Sequence, residues 1–133
     1  YLVPFLQELE GYSSIPPVLD QVEFTPWLFN NELLQYCRQR NIRLQSYSPI
    51  TRGKKFDDPR LLQLCEKYGR SPAQVILRWN IEHGISTIPK SSSKLRLQEN
   101  FDALAFSISA EDLAFMDGFN EGFRICENPM DML

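Results

Sequence analysis

ISTIPKSSSKLRLQEN, residues 85–100, places one Lys, three consecutive Ser and one Arg between a short apolar strand and the start of a helix. Ile85, Thr87 and Ile88 form a β-branched run that Pro89 ends. Ser93 then stands where a helix cap belongs, ahead of a helical stretch in which Leu95 and Leu97 sit among polar residues. A chain turning there presents free backbone N–H groups, and such groups at a helix N-terminus favour negative charge. The Ser side chains add donors, Lys90 a point charge and Arg96 a planar fork that matches phosphate oxygens. On spacing alone two readings stand side by side, a phosphate site and an ordinary capped, solvated turn.

Outward from this stretch, strands and helices alternate. The chain opens in an amphipathic helix (Leu6, Leu9), broken by Ile15-Pro16-Pro17. Val18 to Phe24 read as a strand stopped by Thr25-Pro26. Asn30 is a plausible N-cap for a helix with Leu33, Leu34 and Cys37 on one face, and Asn41 suits the left-handed closing position. Ile42 to Ser48 are extended up to Pro49. Asp58-Pro59 opens a helix running to Gly69, Ser71-Pro72 caps a second running to Gly84, and Ser109 with Asp112 caps a last one. Three apolar strands separated by helical crossovers predict a parallel α/β sheet. Hydrophobic residues are expected on both strand faces, and an isolated open sheet of this kind leaves both edges unpaired, so the remaining strands are expected to come from elsewhere. The opening, without an initiator Met or a preceding strand, reads as a piece of something longer.

The 133 residues fit one domain, and 43% hydrophobic with 12% aromatic residues suffices for a packed core. A net charge of −3 offers no general attraction to nucleic acid or to an anionic membrane, so the basic residues of 90–96 act locally, on a small anion. Cys37, Cys65 and Cys126 show neither CxxC nor metal-ligand spacing, and no apolar run is long enough to span a bilayer. Reduced thiols in a cytoplasmic protein without a metal site are the expectation.

Four segments, QVEFTPWL at 21–28, LLQYCRQRNIRLQSYSPI at 33–50, SPAQVILRWNIEHG at 71–84 and IPKSSSKLRLQEN at 88–100, carry a family resemblance. From about Val3 to Arg124 the chain resembles the C-terminal half of the aldo-keto reductases, NADP-dependent (β/α)8 barrels. The resemblance implies a TIM barrel of which residues 1–133 are the C-terminal portion with a tail at 123–133. Its three strands would be the sixth to eighth, and the N-terminal half of the same barrel would be its partner. Such barrels do their chemistry at the C-terminal strand ends and often bind phosphate after the last two strands.

The same resemblance implies roles, residue by residue. Gln21 would hydrogen-bond the nicotinamide carboxamide, and Tyr47 would stack on the nicotinamide ring. Ser48, Pro49 and Ile50 would turn past the pyrophosphate. Lys90, Ser91, Ser92 and Arg96 would hold the 2′-phosphate of NADPH, and Glu99 and Asn100 would meet the adenine. Read without the family, Gln21 is a polar strand end and Tyr47 a core residue. The implied activity is reduction of an aldehyde or ketone to an alcohol. The alternative is a non-catalytic, nucleotide-binding regulatory or scaffold subunit, and an unrelated α/β domain with a basic loop is a third reading.

Departures from the family pattern are Thr25-Pro26 for its His-Pro, Asp20 for its Asn, and PITRGKK after the second strand. The family's catalytic Asp, Tyr, Lys and His lie on early strands and find no match here, so no catalytic residue is assigned. His83 sits at a helix C-terminus, where an imidazole meets the dipole favourably. Glu8 with Tyr12 and Glu32 with Tyr36 read as helix-surface pairs. Trp27 and the tail from Phe123 to Leu133, with Cys126 and Met130, are candidates for a substrate wall, with ordinary packing as the default.

Overall fold

Side-chain caps set where most of the helices begin. The computed structural model describes residues 1–131; Met132 and Leu133, the end of the expected tail, lie outside the described residues. The elements are α1 (Val3–Tyr12), β1 (Leu19–Glu23), α2 (Asn31–Gln39), β2 (Arg43–Tyr47), α3 (Pro59–Tyr68), α4 (Pro72–Glu82), β3 (Ser86–Thr87), α5 (Lys94–Phe101) and α6 (Ala110–Asp117). Asn30 accepts from the Leu33 amide at 2.9 Å, Asp58 from Arg60 at 3.0 Å, Ser93 from Arg96 at 3.4 Å and Ser109 from Asp112 at 3.2 Å. Asn41 and Gly69 take the left-handed conformation that closes α2 and α3.

The strands pair in parallel in the order β1-β2-β3. Val22, Leu44 and Ile85 enter one core with Leu33, Leu34 and Cys37 of α2, Leu61 and Leu64 of α3, and Val75, Ile76 and Trp79 of α4. The described residues thus form an open three-stranded parallel α/β layer and not a closed barrel. Three strands cannot curl far enough to meet, so the layer stays open.

The expectation of two apolar strand faces is corrected. Leu19, Gln21 and Glu23 of β1 stand in register with Arg43, Gln45 and Tyr47 of β2. That face is largely polar, and the Gln21 amide donates to Gln45 at 2.7 Å. The helices cover the opposite face. Tyr36 also departs from expectation. It is buried, with the Arg40 guanidinium 3.7 Å over its ring, and is no surface partner of Glu32. Burial pushes the Cys37 and Cys65 thiols up to about 11, so at neutral pH both are protonated and behave as small core hydrophobes.

A partly buried ion pair at the start of α3 is tied to Trp27 beyond β1. Arg60 donates to Asp58 through Nε at 3.0 Å and Nη2 at 2.7 Å, and the Trp27 indole N–H adds a third side-chain bond at 2.8 Å. The Arg60 guanidinium, aided by Trp27, holds the Asp58 carboxyl well below the usual carboxylate range despite the opposing effect of burial. A carboxyl depressed in the folded state contributes stability that is present above its unfolded pKa and lost as pH falls through the folded one. Asp58→Asn is therefore expected to lower the melting temperature at pH 7, and to flatten the wild-type decline on acidification below about pH 4, near the unfolded value. Thermal unfolding from pH 2 to 7 measures both, and parallel curves for the two proteins would refute the assignment.

Candidate functional site

β2 ends in a turn that few side chains tolerate. Ser48, Thr51 and Arg52 all have φ near +50°, and Gly53 follows at +79°. For a β-branched residue such as Thr51 this is a strained conformation, costing on the order of 1–3 kcal/mol. The turn persists because it is over-determined. Thr51 is fully buried, its hydroxyl donates to the Ile50 carbonyl at 2.8 Å, and the amides of Thr51 and Gly53 donate to the carbonyls of Ser48 and Ile50.

This turn forms one wall of a cleft of about 940 Å³. The second wall is the start of α4 (Ser71, Pro72, Ala73), and the third is the loop after β3 with the inner side of α5. Ser48, Pro49, Ile50, Lys90, Ser91, Ser92, Arg96, Glu99 and Asn100 all line it. Residues 40 to 52 positions apart in the chain therefore meet at one place, at the C-terminal ends of two strands. Among the described residues neither Lys90 nor Arg96 makes an ion pair. Among the described residues Arg52, a third cation of the lining, makes no ion pair either, and its guanidinium donates to the sulfur of Cys126 at 3.9 Å. Three cations without a carboxylate partner converge on a cleft that starts α5, where anions are favoured.

Not every expected donor is free. Ser93 is used as the α5 cap, and the Ser91 hydroxyl closes a local turn on Ser93. Gln21 and Tyr47 lie outside the cleft lining, on the polar sheet face. Tyr47 stands opposite Glu23. Burial, with Cys126 and Glu23 nearby, pushes its phenol pKa up.

The chain end crosses this face. Both Glu23 carboxylate oxygens accept from the tail, from the Ile125 amide at 2.6 Å and the Cys126 amide at 3.0 Å. The Trp27 carbonyl accepts from Glu121 and Phe123, and Lys55 pairs with Glu121. Trp27 itself is fully buried, tilted against Phe119; as a substrate wall it is corrected to core. His83 is occupied too. Its Nε2 lies 2.8 Å from Asp117, its carbonyl accepts from Arg38, and its ring stacks on Phe29. Among the described residues no cluster of His, Cys, Asp and Glu is placed to hold a metal, and no helix is long and apolar enough to cross a membrane.

Residues 5–121 match the family described as Aldo/keto reductase family. The chain belongs to that family. It is 41% identical over 133 residues to the glyoxal reductase of Bacillus subtilis, covering all of this chain and 48% of that protein. Among solved structures it resembles MGS-M4, an aldo-keto reductase from a Medee basin deep-sea metagenome library, with a TM-score of 0.90 and 32% identity over 96% of this chain and 48% of that one. The Bombyx mori aldo-keto reductase AKR2E4, solved in complex with NADP, gives 0.86 and 31%, covering 96% and 45%. The chain spans about half the length of the relatives it matches.

These matches also correct the placement expected from the sequence. They establish a parallel α/β portion of an aldo/keto reductase barrel. The assignment to a C-terminal half, with strands numbered six to eight, is not carried by them and is withdrawn.

Within this aldo/keto reductase portion, sequence reasoning missed Arg52, Phe56 and the start of α4 as cleft lining. Arg52 lay in the departing segment PITRGKK, and only its positive φ aims the turn into the cleft. Ser71 was legible solely as a cap. Its place in the same cleft as Lys90 depends on how α4 packs near the end of β3.

Proposed function

We propose that this chain carries the NADPH-binding part of an oxidoreductase that reduces aldehydes or ketones to alcohols. The observation that carries the reading is the cleft at the strand ends, lined by Lys90, Arg96 and Arg52, with no carboxylate paired to them among the described residues. A dinucleotide with a 2′-phosphate suits this charge arrangement better than one without. Lys90, Ser91, Ser92 and Arg96 would hold that phosphate, Glu99 and Asn100 would border the adenine, and Ser48, Pro49 and Ile50 would follow the pyrophosphate. Gln21 and Tyr47, on the polar sheet face, would meet the nicotinamide end. When bound, NADPH supplies the hydride; these residues supply orientation.

Among the described residues we place no proton donor. The phenol of Tyr47 has its pKa raised, which makes it a weaker acid at neutral pH, and His83 is committed to Asp117 and its aromatic neighbours. The acid is expected from the remainder of a single barrel domain to which residues 1–133 belong. A small carbonyl compound is the expected substrate, and the name of the Bacillus subtilis relative makes glyoxal the first to try. Three unpaired cysteines accord with a reducing, cytoplasmic setting.

The test is calorimetric titration of the intact protein with NADPH and NADH, followed by NADPH oxidation in the presence of glyoxal. Tight binding of NADPH with turnover is expected. Binding without turnover would move the protein to the regulatory-subunit reading, and no binding of either dinucleotide would overturn the proposal.

A further inference from the structure

Helix α5 carries Arg96, Glu99 and Asn100 into the cleft, yet none of its eight residues is buried. Leu95, Leu97 and Phe101 are all exposed. Burial of its own side chains therefore does little to set where this helix stands. Among the described residues, one side-chain hydrogen bond reaches it from another helix, the Gln74 amide N–H donating to the Glu99 carbonyl at 3.0 Å. That carbonyl lies in the last turn of α5, where backbone oxygens lack partners within the helix.

The other end of Gln74 is tied down as firmly. Its Oε1 accepts from the Ser71 backbone amide at 3.1 Å, and the Gln74 backbone N–H donates to the Ser71 hydroxyl at 3.3 Å. This reciprocal pair is the capping box of α4. The side chain is buried, so water competes poorly for its bonds. One amide thus joins the α4 wall of the cleft to the α5 wall, through an acceptor oxygen facing α4 and a donor nitrogen facing α5.

We propose that Gln74 is a positioning residue for the adenosine end of the cofactor. By holding the Glu99 carbonyl it sets the place of α5, and with it the reach of Arg96 toward the 2′-phosphate. The inference rests on the reading of the cleft as an NADPH site.

The isosteric variant Gln74→Glu separates the two bonds. A carboxylate still accepts from the Ser71 amide, and at a helix start its charge is favourable, but it has no hydrogen to give Glu99 and faces that carbonyl with a like partial charge. Gln74→Met, which buries no charge, removes both bonds at similar volume and serves if the Glu variant folds poorly. In the intact protein, affinity for NADPH and for 2′,5′-ADP is expected to fall about tenfold in either variant, the scale of one lost bond of ordinary strength. Nicotinamide mononucleotide, which has no adenosine end, is expected to bind within about twofold of wild type, and NADH, which keeps the adenine but lacks the 2′-phosphate, is expected to lose clearly less than NADPH.

A loss shared equally by all four ligands would mean general loosening and would overturn the positioning role. So would unchanged 2′,5′-ADP affinity in a folded variant. Failure of the wild-type protein to bind NADPH or 2′,5′-ADP would instead overturn the cofactor reading, and this inference with it.

Discussion

Replacing Lys90 and Arg96 together by Gln is expected to lower NADPH affinity about 100-fold and NADH affinity less than about threefold; a charge-assisted bond contributes about 1.5–3 kcal/mol, and tenfold in affinity is 1.4 kcal/mol. Both cations are exposed and unpaired in the described chain, so their removal orphans no buried carboxylate and leaves the fold intact. Their strongest partner would be the 2′-phosphate, which NADH lacks, and this makes the loss selective. The total stays below the sum of two full bonds because exposed charges are screened and Arg52 remains in the lining. Raising salt should weaken NADPH binding to wild type more steeply than to the double variant. Titration of both proteins with both dinucleotides, at low and physiological salt, provides the measurement. Equal losses for the two cofactors would refute the 2′-phosphate assignment.

Trp79→Ala is expected to cost about 3–5 kcal/mol of stability, the range for deleting a large buried aromatic side chain. Trp79 is fully buried. Its ring stacks on Phe24 at 5.7 Å and meets Phe29 edge-on at 5.5 Å and His83 at 4.7 Å. Its indole N–H donates to Asp117 at 2.8 Å, the same oxygen that faces His83. Truncation leaves a cavity between α4, the segment joining β1 to α2 and the end of α6, and it leaves Asp117 one donor short. Trp79→Phe keeps most of the ring volume and is expected to cost about 1–2 kcal/mol, chiefly the lost bond. Against a typical total of about 5–15 kcal/mol, the Ala variant is marginal and the Phe variant is not. Urea unfolding of the three proteins orders them; an Ala variant within about 1 kcal/mol of wild type would show that this aromatic group is not the centre of the core.

The helices were legible because their signals are local. Asn30, Asp58, Ser71, Ser93 and Ser109 cap as their residue types predict, and Asn41 and Gly69 close helices as left-handed positions do. The alternation of strands and helices announced a parallel sheet for the same reason. Polarity of the strands misled. β1 and β2 each mix apolar and polar residues, and it is the in-register pairing of Gln21 with Gln45 and of Glu23 with Tyr47 that gathers the polar ones on one face. Trp27 and Tyr36 were misplaced for a related reason. Each bears a polar atom suited to a surface, but Asp58 takes the indole N–H and Arg40 covers the phenol ring, so both rings stay inside.

The amino-acid sequence by itself determined the helix ends, the order of elements, the family and the basic loop of 88–100, because capping, periodicity and collinear motifs act over a few residues at a time. Folding in three dimensions was needed to bring residues 48–53 against Lys90 and Arg96, to hang the tail on Glu23, and to join α4 to α5 through Gln74. Those contacts span 25 to 103 positions in the chain. They follow from how buried faces stack and which carbonyls are left without partners, conditions that exist only once the layers have packed.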